Sequence, residues 1–385
     1  MALPGAEVAV IGGGVVGCAV AHALARRGVA ALVLESQSEL ALGASGSNSG
    51  ILHTGFDSHP GELETRLLLR SAELRRALLA ELGVPVLHCG ARLVPHGEEE
   101  VAAVSRLAVN AGANGVAADL EPDGTLLVPG EAVTDPVALV EALAGAAQSA
   151  GASVSLGDAV VGLGAAGSRG VAIELAAGER WHARAAVNCA GLFADDVARM
   201  AGDDLPAIYP RKGEFLVFAP PAGAPLEEIL LPVPSRLGKG VLVFPTVDDH
   251  VIAGPTARER TDKHDWSVEA DAQELIVERA RRMWPAIDDS ELRGSYAGLR
   301  PAGRHTNYVI EHSRALPGLV HVAAIRSTGV SASLAIGEHV VGLLAGLELV
   351  QLAPLRSLAK QSRHPSRRAW WERAARRDAV ERGGR

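Results

Sequence analysis

Cysteine is scarce and scattered: Cys18, Cys89 and Cys189 stand alone, with no C-x-x-C pair. Cysteine-built zinc and iron–sulfur sites are therefore not expected, no metal site is predicted, and the usage suits a reducing, cytoplasmic compartment. Uninterrupted apolar runs of about 18 residues are also missing, so no membrane-spanning helix is expected. No basic residue precedes the apolar start of the chain, which leaves a signal peptide unsupported. Nor is there a surplus of positive charge, because a net charge of −8 gives no general attraction to nucleic acid.

What remains is the profile of a globular enzyme. The 385 residues are 48% hydrophobic and 21% charged, enough to bury a core and too long for a single small one. Two domains, or one doubly wound domain carrying an insertion, are expected. The charge is unevenly spread. From Gln351 onward the chain carries ten Lys and Arg against three Asp and Glu, with Trp370 and Trp371 among them. Such a basic tail either touches a membrane surface or acidic partner, or is a solvated helix with its two Trp residues packed on the body.

The most informative stretch is Glu7 to Glu35. VAVIGGG is a short apolar strand-like run ending in glycines, VVGCAVAHALARRG follows at helical spacing, and ALVLE is a second strand-like run ending in an acid. Gly12, Gly14 and Gly17 spell G-x-G-x-x-G. In a βαβ unit that spacing serves a dinucleotide: a tight turn at Gly12, close approach to a pyrophosphate at Gly14, and close helix–strand packing at Gly17. The N–H groups at Val15 and Val16 open the helix and face phosphate, while Glu35, with Ser36 beside it, accepts from a ribose.

The loop after that second strand is rich in Gly, Ser and Asn. Leaving the carboxyl edge of a sheet, it lines a ligand, and Ser45, Ser47, Asn48, Ser49 and Gly50 are candidate contacts. His53 is its one imidazole, read either as a structural histidine or as a base near the reacting carbon. An amphipathic helix starts near Pro60-Gly61, with Leu63, Leu67, Leu74, Leu78 and Leu82 as its inward stripe.

With these residues in view, NSGILHTGF (Asn48 to Phe56) and PGELETRL (Pro60 to Leu67) resemble FAD-dependent oxidoreductases of the D-amino-acid oxidase superfamily. The nearest branch is that of glycerol-3-phosphate dehydrogenase and L-2-hydroxyglutarate dehydrogenase (oxidase). YPRKGEFLVF, GKGVLVFPT, AGPTA, AGLRP and AAIRSTGVSASLAIG continue the likeness in order over about nine-tenths of the chain. The resemblance implies an α/β fold: a Rossmann-type, glutathione-reductase-like FAD-binding domain with an inserted α+β substrate domain on a mixed or antiparallel sheet. It assigns residues 1–84, 133–205 and 300–350 to the FAD domain, 85–132 and 206–299 to the substrate domain, and 351–385 to a basic helical tail.

The remaining segments fit that division. Asp135-Pro136 reads as a cap and N1 proline that start a helix. Short alternating runs between Tyr209 and Leu299 signal an antiparallel sheet. By resemblance, Val160 lies near adenine, and Ala190 and Gly191 make a second close approach to the cofactor, with ordinary sheet packing as the alternative. Arg211 and Lys212 are either anion ligands or a solvated strand end, with Lys212 preferred. Arg300 is the favoured substrate anchor, against a structural salt bridge; Tyr296 and Arg304 are weaker candidates. Thr328, Gly329, Val330 and Ser331 precede a last helix, expected to begin near Leu334, whose positive end faces the flavin.

The resemblance implies that a hydride leaves the CH–OH carbon of a small anionic substrate for flavin N5, with electrons passed on to oxygen or a quinone. If the substrate bears a hydroxyl, a base must take its proton, and His53 is the candidate; an amine or amino-acid substrate needs none. A flavin-bearing subunit that depends on a partner rests only on the basic tail. An NAD enzyme is opposed by the loops after Glu35 and at Ser327. Aromatic-ring monooxygenation is opposed by the lack of a Gly-Asp pair before the last helix.

Overall fold

The computed structural model describes residues 5–167, 170–234, 240–348, 350–358 and 369–383. Gly238 and Lys239 of the GKGVLVFPT segment, and residues 359–368 of the basic tail, lie outside them. Eight α-helices occur among the described residues: α1 (Val15–Ala25), α2 (Leu63–Leu82), α3 (Glu98–Ala113), α4 (Pro136–Ser149), α5 (Ala194–Met200), α6 (Ala270–Met283), α7 (Gly329–Gly346) and α8 (Trp370–Gly383).

The first of two large sheets has strand β1 (Gly5–Ile11) at its centre. Strand β2 (Ala31–Glu35) and Arg180–Asn188 flank it in parallel, followed outward by Ser153–Leu156 and Leu319–Ala323, also parallel. Antiparallel strands Val160–Ala165, Val171–Leu175 and Val309–His312 extend the sheet. Val8 to Ile11 and Leu32 to Leu34 are buried without alternation, as parallel strands covered on both faces must be. α1 packs against α4 and α7, and α7 also against α2. Gly337 permits the α1–α7 approach, since a Cβ there would lie 2.6 Å from the Ala19 carbonyl oxygen.

The second sheet has nine strands, and all its pairings are antiparallel except Ile229–Leu230 with Ala91–Leu93. Its longest pair sets Ile208–Ala219 against Glu291–Gly303. A small third sheet joins Ile51–Leu52, Ala132–Thr134 and Val86–Leu87. The first sheet's strands come from 5–35, 153–188 and 309–323, and the second sheet's from 91–128 and 208–303. The strand Glu291–Gly303 of the second sheet runs past residue 300, where the last FAD-domain segment is expected to begin.

One expectation is corrected, and one of two readings of the tail is selected. The last core helix begins at Gly329, five residues before Leu334, because a Ser/Thr/Gly run that reads as loop adopts helix once tertiary packing supports it. That helix is also apolar and long enough by composition to cross a membrane, yet it is 67% buried inside the protein as a core element. The tail helix α8 is docked on the body. Trp370 and Trp371 are buried, the Trp371 Nε1–H donates to Asp248 at 3.1 Å, and Arg373 pairs with Glu141 and Glu39.

His22, on α1, is 4% exposed. Burial, helped by the nearby Arg26 charge, lowers its pKa to about 4. A histidine whose folded pKa is depressed is protonated first in the unfolded chain, so stability falls as pH drops from about 6.5 to about 4. Urea unfolding at pH 7 and pH 4.5 should show a loss approaching 3 kcal/mol from this residue. That pH-dependent component should be absent in His22→Asn.

Candidate functional site

The glycine turn is locked by contacts that exclude a side chain. Gly12 has φ +112, and a Cβ there would sit 2.4 Å from the Cys189 carbonyl oxygen; a Cβ at Gly17 would sit 2.0 Å from the Gly12 carbonyl oxygen. The segment holding Ala190 and Gly191 therefore lies directly against the turn. Glu35 closes the other side, where its carboxylate accepts from Gly13 N–H at 2.7 Å and Gln37 N–H at 2.8 Å and from the Ser36 hydroxyl at 3.2 Å. Val160 opens its strand two residues after Asp158, whose N–H donates to the Glu35 carbonyl. Burial, with the Glu35 charge, pushes the Cys18 thiol up to about 12, so this thiol beside the turn is unreactive.

The helix ends provide a test of what this turn would hold. α4 is capped by the Asp135 side chain, and α2, α3, α5, α6 and α8 each carry an acidic residue in the first turn. Among the described residues only α1 and α7 have neither. Their first turns also converge, since a Cβ built at Gly329 would lie 4.0 Å from both Val15 Cγ1 and Val16 Cγ2. Two positive helix ends with no acidic residue in their own first turns suit a pyrophosphate and an electron-rich ring. The residues present fit FAD.

Around this point the early and late loops are stapled together. Ser45 Oγ accepts the Val15 N–H at 2.9 Å, so the Val15 N–H expected to face phosphate has a side-chain acceptor within the protein. Asn48 Nδ2 donates to the Ser327 carbonyl at 3.2 Å and Asn48 Oδ1 accepts the Gly50 N–H. Ser49 Oγ accepts the Ile51 N–H, and Ser47 is buried with its hydroxyl toward Gly43. The Ser331 hydroxyl is taken up by the main chain. It accepts the His53 N–H at 2.9 Å and donates to the Ile51 carbonyl. Val330 is buried.

Glu64 anchors the late loop. It accepts from Thr328 Oγ1 at 2.6 Å and Asn307 Nδ2 at 2.7 Å, and it pairs with Arg326. Burial opposes its ionisation, but the Thr328 hydrogen bond, the Arg326 charge and the Asn307 bond outweigh this and lower its pKa. Ala324 and Arg326 hold positive φ values of 55 and 54, a conformation that non-glycine residues keep only when surroundings enforce it.

A cavity of about 380 Å³ opens between the second large sheet and the segments at 44–64 and 326–328. Ser47 to Ser49, His53, Ser327 and Thr328 line one side; Arg211, Phe215, Thr256 and Arg300 line the other. Arg300 reaches it by crossing Gly213, where any Cβ would lie 2.0 Å from Arg300 Nη2, and it donates to the Thr256 carbonyl at 2.9 Å. Burial, with the neighbouring Arg211 charge, lowers the Arg300 pKa to about 10. Among the described residues neither arginine has a carboxylate within salt-bridge distance, so the pair has the charge to accept an anion.

Lys212 is not part of it. Arg211 and Phe215 line the cavity, and strand alternation turns Lys212 to the opposite face. There it is fully buried and bonded to Asp265 at 2.8 Å and Ser267 at 3.1 Å. Tyr296 is also buried, stacked on Phe215, and Arg304 lies over the Tyr209 ring, so neither weaker candidate lines the cavity. Sequence reading did not single out Glu131, Arg75 or Glu64. A charged residue inside an apolar stretch, as Glu131 is in LLVPGEAV, was the available signal for the first of them.

The chain matches the family described as FAD dependent oxidoreductase over residues 7–343. It is 28% identical over 359 residues to a glycerol 3-phosphate dehydrogenase of Caloramator mitchellensis, covering 89% of this chain and 74% of that one. It is 28% identical over 398 residues to the mitochondrial L-2-hydroxyglutarate dehydrogenase of Arabidopsis thaliana, covering 87% and 82%. Among solved structures, the dithionite-reduced L-α-glycerophosphate oxidase of Mycoplasma pneumoniae with FAD bound matches at TM-score 0.83 and 25% identity, covering 94% of this chain and 97% of that one.

Proposed function

The chain belongs to the FAD dependent oxidoreductase family, and from that premise we propose that it oxidises the hydroxyl-bearing carbon of a small anionic substrate. A 2-hydroxy acid such as L-2-hydroxyglutarate, or glycerol 3-phosphate, is the substrate class. Support comes from the relatives that carry those names and, above all, from the unpaired Arg211–Arg300 couple facing His53 across one cavity.

FAD, when bound, supplies the two-electron acceptor that takes hydride from the substrate carbon. The residues of this chain do the rest. Arg211 and Arg300 hold the carboxylate or phosphate and set the distance between it and the reacting carbon. His53 takes the hydroxyl proton as the C–O bond becomes a carbonyl. The walls given by Phe215, Leu242 and Leu299 keep bulk water from the reacting carbon. Oxygen or a quinone would be the final electron acceptor.

Anaerobic mixing of the purified protein with L-2-hydroxyglutarate, glycerol 3-phosphate, glycine and D-amino acids, followed at about 450 nm, tests this reading. One of the hydroxyl substrates should bleach the flavin. Bleaching only by the amines would replace it with an amine-oxidase reading.

The strand alternation gives a second test. Arg300→Met should lower kcat/KM for the substrate by roughly 10²-fold, as expected for truncating a buried charge that binds an anion. Its thermal stability should be unchanged or higher, because holding that charge buried beside Arg211 is costly at neutral pH. Lys212→Met should do the reverse: KM close to wild type, with stability lower by about 3 kcal/mol from the broken buried pair.

A further inference from the structure

We infer that Glu131 is a positioning residue that fixes the tautomer of His53, so that Nε2 is the atom that takes the substrate proton. The inference rests on the proposed role of His53 and extends it to a residue from the other large-sheet region of the chain.

Glu131 lies in the turn between Leu126–Val128 and Ala132–Thr134 and is fully buried. Gly130 lets that turn press in, since a Cβ there would lie 2.9 Å from Thr54 Cγ2. Oε1 accepts two bonds from Thr54, the N–H at 2.6 Å and the hydroxyl at 2.8 Å. Oε2 lies 2.9 Å from His53 Nδ1. A carboxylate only accepts, so His53 must present N–H at Nδ1 and keep its lone pair at Nε2. The His53 side chain is 20% exposed, and it lines the cavity.

The backbone of His53 is fixed independently. Its N–H donates to Ser331 Oγ at 2.9 Å, and its carbonyl accepts from Arg75 Nη2 at 2.9 Å. Arg75 is itself buried, and burial lowers its pKa to about 10 against the opposing pull of Glu131. Ring orientation and protonation are thus set by Glu131, while main-chain position is set by α2 and α7. As hydride leaves, the imidazolium forming at His53 finds a carboxylate in place.

Glu131→Gln is an unusually informative change here. The two Thr54 donors hold the amide oxygen, so the amide NH₂ must face Nδ1. That forces the proton onto Nε2 and removes the base without removing the ring.

The test uses FAD-loaded protein labelled with ¹⁵N-histidine, with His53 assigned by loss of its signals in His53→Gln. At a pH where the ring is neutral, wild type should show a protonated Nδ1 and Glu131→Gln a protonated Nε2. The variant should also reduce flavin about 10²–10⁴-fold more slowly, with substrate Kd within about threefold of wild type. Glu131→Gln added to His53→Ala should cost nothing further, because the two residues act as one unit. A neutral wild-type His53 protonated at Nε2 overturns the inference even if the variant fails to fold; so do an unimpaired variant and additive losses in the double variant. Full activity in His53→Ala would instead overturn the base role on which the inference rests.

Discussion

Gly17→Ala should yield a colourless protein. Its added Cβ would lie 2.0 Å from the Gly12 carbonyl oxygen and 3.3 Å from Val10 Cγ1, far inside contact distance. Gly12 cannot retreat, because it is already pressed against the Cys189 carbonyl at a φ reserved for glycine. The start of α1 must therefore move off the sheet, and its N–H groups lose their aim at the pyrophosphate. FAD affinity should fall by at least about 10²-fold, the order of 3 kcal/mol, and the apoprotein should lose about 1–3 kcal/mol to overpacking. Gly112→Ala on α3 is the control. Its Cβ would meet nothing within 4 Å, so it should keep its FAD and gain up to about 1 kcal/mol of helix stability. Visible absorbance after purification and an FAD titration of each apoprotein read both outcomes.

His53→Ala should leave a yellow protein that binds substrate and barely oxidises it. The bonds that hold residue 53 in place are main-chain bonds to Ser331 and Arg75, and they survive the substitution. What disappears is the acceptor for the hydroxyl proton, worth about 10²–10⁴-fold in rate. Leaving Glu131 with the Thr54 donors alone costs roughly 1–3 kcal/mol of stability, which a thermal melt would register without unfolding the protein at room temperature. Single-turnover flavin reduction should fall by that factor while substrate Kd changes little. A loss below tenfold would point to a substrate that needs no base, such as a neutral amine.

Local spacing made the dinucleotide end of this site readable. The strand, glycine turn, helix and terminal Glu35 lie within one short βαβ unit, and the Gly17–Gly12 and Gly13–Glu35 contacts fall inside it. The Ser/Asn loop, which follows directly from that strand, lines the cavity. Contacts made across the fold were not readable. Asn48 meets Ser327 over 279 residues, Thr328 meets Glu64 over 264, and His53 meets Glu131 over 78. No periodicity announces such pairs; they exist only once three sheets are assembled.

Lys212 shows a different limit. RKGE marks the right strand, but a one-residue uncertainty in facing exchanges Arg211 for Lys212. The decisive clue was Gly213, which is small because Arg300 lies across it; that becomes visible only when the two long strands are paired. The late start assigned to α7 has a related cause. Thr328 to Ser331 favour turns in isolation, and packing against Val15 and Val16 overrides that preference.

The most direct test is a crystal structure of the FAD-loaded protein with an unreactive anionic hydroxy-acid analogue. The anion should lie within hydrogen-bond distance of Arg211 and Arg300, with the hydroxyl on His53 Nε2. An anion seated on Arg326, or a hydroxyl directed away from His53, would contradict the account.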